Sequence, residues 1–172
     1  LKLMIRGSNF GPHMSLLDVF IGKQKCGKVH FFNDSALSCV LPKVRVGKFN
    51  VRVVVGGQAN KKNKLFESSP PEIDSINPQS GPSRGGYPLT IKGVNFIKDA
   101  HAEHEVSVSG LKCGNVRVTS NTELTCNAPK GIAGIQNITV IVNGNPSEPS
   151  QDFAYNSPSV RGAVPSHGNK VG

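Results

Sequence analysis

Asn77–Phe96 reads NPQSGPSRGGYPLTIKGVNF, and its two halves carry opposite instructions. Pro78, Gly81, Pro82, Gly85 and Gly86 crowd the first half. Proline fixes φ and removes a backbone donor, and glycine admits positive φ, so no helix can form there. The second half, Leu89-Thr-Ile91-Lys-Gly93, alternates apolar and polar residues and predicts a strand. The stretch is therefore a turn region feeding a strand.

Parts of it recur. Leu3-Met-Ile5-Arg-Gly7-Ser-Asn9-Phe10 matches Leu89-Thr-Ile91-Lys-Gly93-Val-Asn95-Phe96 at an offset of 86. After a one-residue slip the offset becomes 87, and Lys25-Cys26-Gly27 then falls on Lys112-Cys113-Gly114. Leu37, Cys39, Pro42, Gly47, Val53 and Phe66 fall on Leu124, Cys126, Pro129, Gly134, Val140 and Phe153. A period this long marks a domain-sized module rather than a solenoid unit. Pro158, Val160, Pro165, Gly168 and Gly172 lie 87 beyond Pro71, Ile73, Pro78, Gly81 and Gly85, which reads as a third copy beginning. The expected organisation is a first module over 1–69 whose opening Pro/Gly-rich segment is absent, a complete module over 70–156, and the start of a third over 157–172. The chain reads as an excerpt from a longer tandem array.

Composition agrees with an all-β chain: 172 residues hold 19 Gly and 12 Pro, and 37% are apolar. No stretch approaches the length of apolar sequence a membrane span needs. The net charge of +9 is uneven. Residues 1–69 carry 12 Lys/Arg against Asp18, Asp34 and Glu67, whereas residues 70–156 carry 6 against 8 acids. A basic module beside a weakly acidic one can guide packing between them or attract an anionic partner.

In chain order, strands are expected at 2–6, 18–21, 29–32, 36–40 and 49–55, with another opening at Leu65-Phe66. Phe49, Val51, Val53 and Val55 form the cleanest inward face. Gly11-Pro12 is a turn, and Ser68–Pro71 a short, proline-stiffened linker. The second module adds an opening strand at 73–76, then strands at 106–109, 116–119, 123–126, 138–142 and 152–155. Asn143-Gly144 is a type I′ hairpin signal at the place Gly56-Gly57 holds in the first copy. Many short strands divided by Gly/Pro/Asn turns predict β-sandwiches.

Four cysteines allow three pairings. The repeat favours Cys26 with Cys39 and Cys113 with Cys126, because each module carries its own pair at one place. Closing such a loop stabilises by roughly 3 kcal/mol on the chain-entropy model, and such bonds persist outside the reducing cytosol. The alternative is buried thiols packing as small hydrophobes. Zinc is disfavoured, since neither cysteine has a C-x-x-C partner or a histidine at ligand spacing.

The motif Leu89-x-Ile91-x-Gly93-x-Asn95-Phe96, the preceding Pro78-x-x-Gly81-Pro82-x-x-Gly85-Gly86 and the paired cysteines together resemble the IPT/TIG family. These are immunoglobulin-like modules shared by plexins, transcription factors and related proteins. The resemblance covers nearly the whole chain and implies tandem early Ig-like sandwiches of two antiparallel sheets. The cysteine pairs make it most similar to the extracellular branch, whose tandem copies act as stalks or protein-binding ectodomain modules. A Rel-like branch uses a single copy for dimerisation or DNA contact. Fold follows from membership more firmly than function does.

Asn33-Asp-Ser35 and Asn137-Ile-Thr139 fit the N-glycosylation sequon. Lys23, Lys25, Lys28, Lys43, Arg45 and Lys48, followed by Lys61, Lys62 and Lys64, give the first module a candidate polyanion-binding set. Nucleic acid is disfavoured, because no helix can enter a groove and aromatic interleaving is missing. His101-Ala-Glu103-His104-Glu105 clusters metal-capable side chains, but no second cluster converges on it, and a solvated loop is expected. The three other histidines are expected to be structural or exposed. No catalytic signature, metal site or cofactor motif is present.

The sequence thus points to a non-catalytic, extracellular or cell-surface Ig-like pair that works in adhesion, in ligand recognition or as an ectodomain spacer. Its partners would be surface proteins, a second copy included, with no membrane insertion within this segment. The rival is an intracellular Rel-like segment that dimerises or contacts DNA. A carbohydrate-binding accessory module is a distant third, opposed by 6% aromatic residues and no Trp.

Overall fold

The computed structural model describes residues 1–11, 16–61 and 64–162, and among these it contains eighteen strands and no α-helix. Module one comprises β1 (Lys2–Arg6), β2 (Leu17–Ile21), β3 (Gln24–Lys25), β4 (Gly27–Asn33), β5 (Ala36–Val40), β6 (Gly47–Val55), β7 (Gln58–Ala59) and β8 (Lys64–Ser68). Module two opens with β9 (Glu72–Asn77), β10 (Ser80–Gly81), β11 (Pro88–Val94), β12 (His104–Val108) and β13 (Leu111–Lys112). It closes with β14 (Gly114–Ser120), β15 (Glu123–Asn127), β16 (Gly134–Val142), β17 (Asn145–Pro146) and β18 (Ser150–Tyr155). Pro12, His13, Lys62, His167 and the third-copy residues Pro165, Gly168 and Gly172 lie outside the described residues.

Each module is a sandwich of two sheets. In module one, β1-β5-β4 faces β3-β2-β6, with β7 and β8 both on β6. In module two, β14-β15-β11-β9 faces β10-β18-β16-β12-β13, with β17 on β16. Period-2 patterning decides which side chains meet in the middle. Along β11, Leu89, Ile91 and Gly93 turn inward between exposed or half-exposed neighbours. Val19, Ile21 and Leu37 fill the centre of one core, and Val106, Val108 and Leu124 hold the same places in the other.

The recurring Gly-x-Asn-Phe has a physical reason. Asn9 and Asn95 take φ of 61° and 62°, a left-handed conformation that asparagine tolerates better than most residues. That turn throws the phenylalanine ring back over the glycine two residues before the asparagine. A Cβ at Gly7 would stand 2.6 Å from Phe10 Cζ, and one at Gly93 would stand 2.7 Å from Phe96 Cζ. Only glycine lets the ring close. The same segment is tied to the opposite hairpin: Phe10 N donates to Asp34 O (3.1 Å) and Phe96 N to Asn121 O (3.0 Å).

The glycine- and proline-rich opening segment of module two touches both sheets. β9 pairs antiparallel with β11, the Asn77–Pro78 peptide is cis, and β10 then pairs in parallel with β18 in the other sheet. Gly85, at φ 67°, lies where a side chain would run into the Pro129 backbone. Tyr155 Oη donates to that same Pro129 carbonyl at 2.5 Å.

Several strands run beyond their expected bounds, β12 opening at His104 and β16 at Gly134, and two further differences stand out. The two-residue ladders β3, β7, β10, β13 and β17 were not predicted, because two residues carry no periodicity. The strand expected to reach Ser109 stops at Val108, since Ser109 has φ 47° and begins the turn into β13. Both hairpin signals have the positive φ at two consecutive residues that a type I′ turn requires: 55° and 82° at Gly56-Gly57, 51° and 79° at Asn143-Gly144.

Candidate interaction surfaces and the joint between the modules

Cys26 and Cys113 each sit where the chain leaves one sheet for the other, between β3 and β4 or between β13 and β14. Their amides donate to Val19 O and Val106 O, both at 2.8 Å. Across the sandwich stand Cys39 in β5 and Cys126 in β15. Cys26 and Cys39 are joined, with Cα atoms 5.7 Å apart. Cys113 and Cys126 stand as two buried free thiols. Their mutual hydrogen bond, together with burial, holds the Cys126 thiol above its usual range. The partners expected from the repeat meet in both modules, but only the first pair carries the bond.

Asn33 is exposed at the end of β4, and its Oδ1 accepts from Ser35 N and Ser35 Oγ, each at 2.9 Å. Asn137 is exposed on β16, where the pairing with β18 slips register. Both sequon asparagines face solvent.

The six basic residues singled out in module one do not share one surface. Lys25 and Lys48 lie on the sheet that contains β2 and β6 and Lys23 in the turn between β2 and β3, while Lys28 lies on β4 of the other sheet. Lys43 and Arg45 belong to the loop between β5 and β6. Lys25 is held by Asp18 at 2.7 Å and Lys48 by Glu67 at 3.8 Å. Arg52, not among the six, stacks over the Phe20 ring at 4.2 Å.

Lys43 works at the joint. Its ammonium contacts Glu103 Oε1 of module two at 2.5 Å, and this contact lowers the Glu103 carboxyl below the usual carboxylate range. Asn145 completes the joint from the Asn143-Gly144 hairpin. Its Oδ1 accepts from Val46 N (3.0 Å) and its Nδ2 donates to Val44 O (3.1 Å). One amide thus satisfies a donor and an acceptor of the facing loop. Asn95 Nδ2 fixes the linker by donating to Pro70 O at 2.9 Å. A cleft of about 120 Å³ remains between the modules, lined among others by Pro42, Val44, Phe66, Ile97, Val142 and Asn145.

The histidine loop is used structurally. His104 Nε2 meets the carbonyls of Phe96 (2.6 Å) and Ile97 (3.1 Å). Glu105 pairs with Lys112 at 2.7 Å, and exposed His101 lies 3.3 Å from Asp99. Among the described residues no three His, Cys, Asp or Glu side chains gather as a metal site.

The IPT/TIG domain model matches residues 1–68 and again 71–155. The chain belongs to the IPT/TIG domain family. It is 30% identical to human Fibrocystin-L over 97% of this chain and 4% of that protein. It is 28% identical to Plexin-2 of Caenorhabditis elegans over 99% of this chain and 10% of that protein. The chain therefore spans a small fraction of these relatives. Among solved structures, the Plexin A4 full extracellular region superposes with a TM-score of 0.50 at 19% identity, covering 90% of this chain and 16% of that one. That likeness concerns the Ig-like β-sandwich fold alone.

Sequence reasoning missed the joint. Asn145, the residue after the Asn143-Gly144 turn signal, was not singled out, and Glu103 was visible only as part of a histidine cluster. The available hint was that Asn145 replaces Gln58 at the equivalent place in the other IPT/TIG copy.

Proposed function

We propose that this IPT/TIG pair is a non-catalytic extracellular module of a larger cell-surface or secreted protein, working in adhesion or ligand recognition or as a spacer. The observation that carries the reading is a cysteine pair at the same place in each module, joined by a bond in one of them. Such bonds belong to oxidising compartments. Sequence similarity to Fibrocystin-L and Plexin-2 supports the same placement. The Lys43–Glu103 contact and the Asn145 clamp suit a spacer, because they hold successive modules in a fixed relation. In the secretory pathway, Cys113 and Cys126 pass two electrons and two protons to a thiol–disulfide oxidoreductase and form the second bond. Asn33 and Asn137 accept glycans there, and residues 157–172 open a third copy.

Mass spectrometry of the natively produced chain, before and after reduction and deglycosylation, tests this. The expected result is a mass four hydrogens below the all-thiol value for its 4 Cys, bonds mapped to Cys26–Cys39 and Cys113–Cys126, and sugar on Asn33 or Asn137. Four free thiols with bare asparagines would overturn the reading in favour of an intracellular Rel-like segment. Salt-sensitive DNA binding would be the next measurement in that case.

A further inference from the structure

The outward face of the β1-β5-β4 sheet differs in kind from the same face of module two. In module one, Met4, Ser38 and His30 stand in register across the three strands. Phe32 lies beside His30, their rings edge-to-face with centroids 4.6 Å apart. Met4 is 55% and Phe32 50% exposed, while Ser38 between its neighbours is 7% exposed although it points away from the core. In module two the equivalent row is Thr90, Thr125 and Arg117, and Thr119 replaces Phe32. Lys92 and Glu123 stand directly opposite one another there, where module one has Arg6 opposite Ala36. One fold thus carries a polar face with charges of both signs in one copy and an apolar one in the other. The apolar side chains are not needed to make the sandwich, since module two is built without them.

Around this centre stand Lys2, Arg6 and Lys28, all exposed. Among the described residues, none of the three is in an ion pair within 4 Å. Among the described residues no acid lies on these strands' outward face: Asp34 sits in the β4–β5 turn with its carboxylate accepting from Asn9 N and Gly11 N. An exposed apolar centre with a charged rim is the anatomy of a protein-recognition patch, and the rim's single sign selects the partner's charge. A second copy is a poor occupant, since two-fold pairing of the face on itself opposes cation to cation. A pure polyanion satisfies the rim and leaves Met4 and Phe32 uncovered.

We propose that the outward face of β1-β5-β4 docks an acidic protein segment that places an apolar side chain over Met4, His30 and Phe32. This rests on the reading of the chain as an extracellular recognition module and names the class of partner.

The test is fluorescence anisotropy with the whole chain and a labelled 14-residue Asp/Glu peptide bearing one central Phe. Comparison probes are the same peptide with Ser for Phe, and phosphatidylserine-containing vesicles. Met4→Thr with Phe32→Thr installs module two's own residues, so the sheet is retained, and circular dichroism verifies it. The expected result is saturable binding of the Phe peptide that weakens about tenfold or more in the double variant, in Arg6→Glu and with the Ser peptide, a change large enough to read directly as a ratio of dissociation constants. Equal binding of the Phe and Ser peptides, or an unchanged affinity in the double variant, would overturn the proposal. So would vesicle binding without peptide binding, or a wild-type dimer that the double variant abolishes. Bond and sugar mapping on the same preparation separates the two readings. Bonded, glycosylated protein that ignores the peptide sinks only this face, whereas free thiols and bare asparagines sink the extracellular reading beneath it.

Discussion

Leu89, Ile91 and Phe153 are completely or almost completely buried, while their counterparts Leu3, Ile5 and Phe66 are only half-buried. The two copies share the motif and the order of their common strands, so the difference lies in what surrounds the motif. Module two's opening segment brings Ile73 and Ile76 into the core through β9, and through β10 it lines β18, which carries Phe153 and Tyr155. β8, the strand that bears Phe66, has β6 as its one partner among the described residues. An Ig-like core is therefore finished at the sheet margins. Burial at the centre depends on strands that sequence periodicity barely reveals.

The largest expected effect breaks that comparison directly. Phe96→Ala empties a fully buried site and should cost about 3–5 kcal/mol, whereas Phe10→Ala, at 7% exposure, should fall at or below the lower end of that range. Denaturant unfolding read separately for each module measures both, and equal losses would mean that margin strands do not govern core burial. Next in size is the covalent difference. Reducing Cys26–Cys39 should destabilise module one by roughly 3 kcal/mol. In a preparation whose Cys113 and Cys126 are thiols, the same reductant should leave module two unmoved. In the natively oxidised chain, where the second bond is proposed to form, both modules should shift, and an unmoved module two there would sink that bond.

Most of this fold was legible in the sequence, for physical reasons visible in single residues. Ala36–Val40 and Lys2–Arg6 emerge with the bounds that their alternation predicts. Gly7 and Gly93 recur because a phenylalanine ring must lie on each. What stayed hidden was contact between segments distant in sequence. β10 pairs with a strand some seventy residues away through two residues only. The basic set in module one looked like one surface because charge counts ignore facing. The structure instead sends Lys28 to one sheet, Lys25 and Lys48 to the other, and Lys43 to the joint. No pattern within one module can announce Asn145, whose partners Val44 and Val46 lie in the other.

A smaller contrast sits inside module two. Tyr155 Oη donates to Pro129 O, whereas the buried Tyr87 hydroxyl has no hydrogen-bond partner among the described residues. Burial raises both phenols, that of Tyr155 to about 12. Tyr155→Phe should lose about 1 kcal/mol, and Tyr87→Phe should change stability by less than about 0.5 kcal/mol or raise it, because it deletes an unpaired polar atom. Thermal unfolding of the two variants orders them, and the reverse order would mean that the Tyr87 hydroxyl has an unseen partner.

The joint should show the smallest effect on stability, and it is best read as geometry. Glu103 and Lys43 are exposed enough that their ion pair adds little to either module's stability, so its consequence is orientation. The folded Glu103 pKa lies below the ordinary value of 4.5. The pair's contribution is therefore fully present above pH 4.5 and is lost as pH falls through the lower folded value. The Asn145 clamp does not titrate and persists across that window. Small-angle scattering between pH 7 and 3 should therefore show a modest widening of inter-module distances in the wild type. Glu103→Gln should show the same widening already at pH 7, with no further change on acidification from this site. Asn145→Ala should loosen the joint at every pH. If Glu103→Gln scatters like the wild type at pH 7, the ion pair is incidental and the two Asn145 hydrogen bonds with the apolar lining of the cleft set the angle alone.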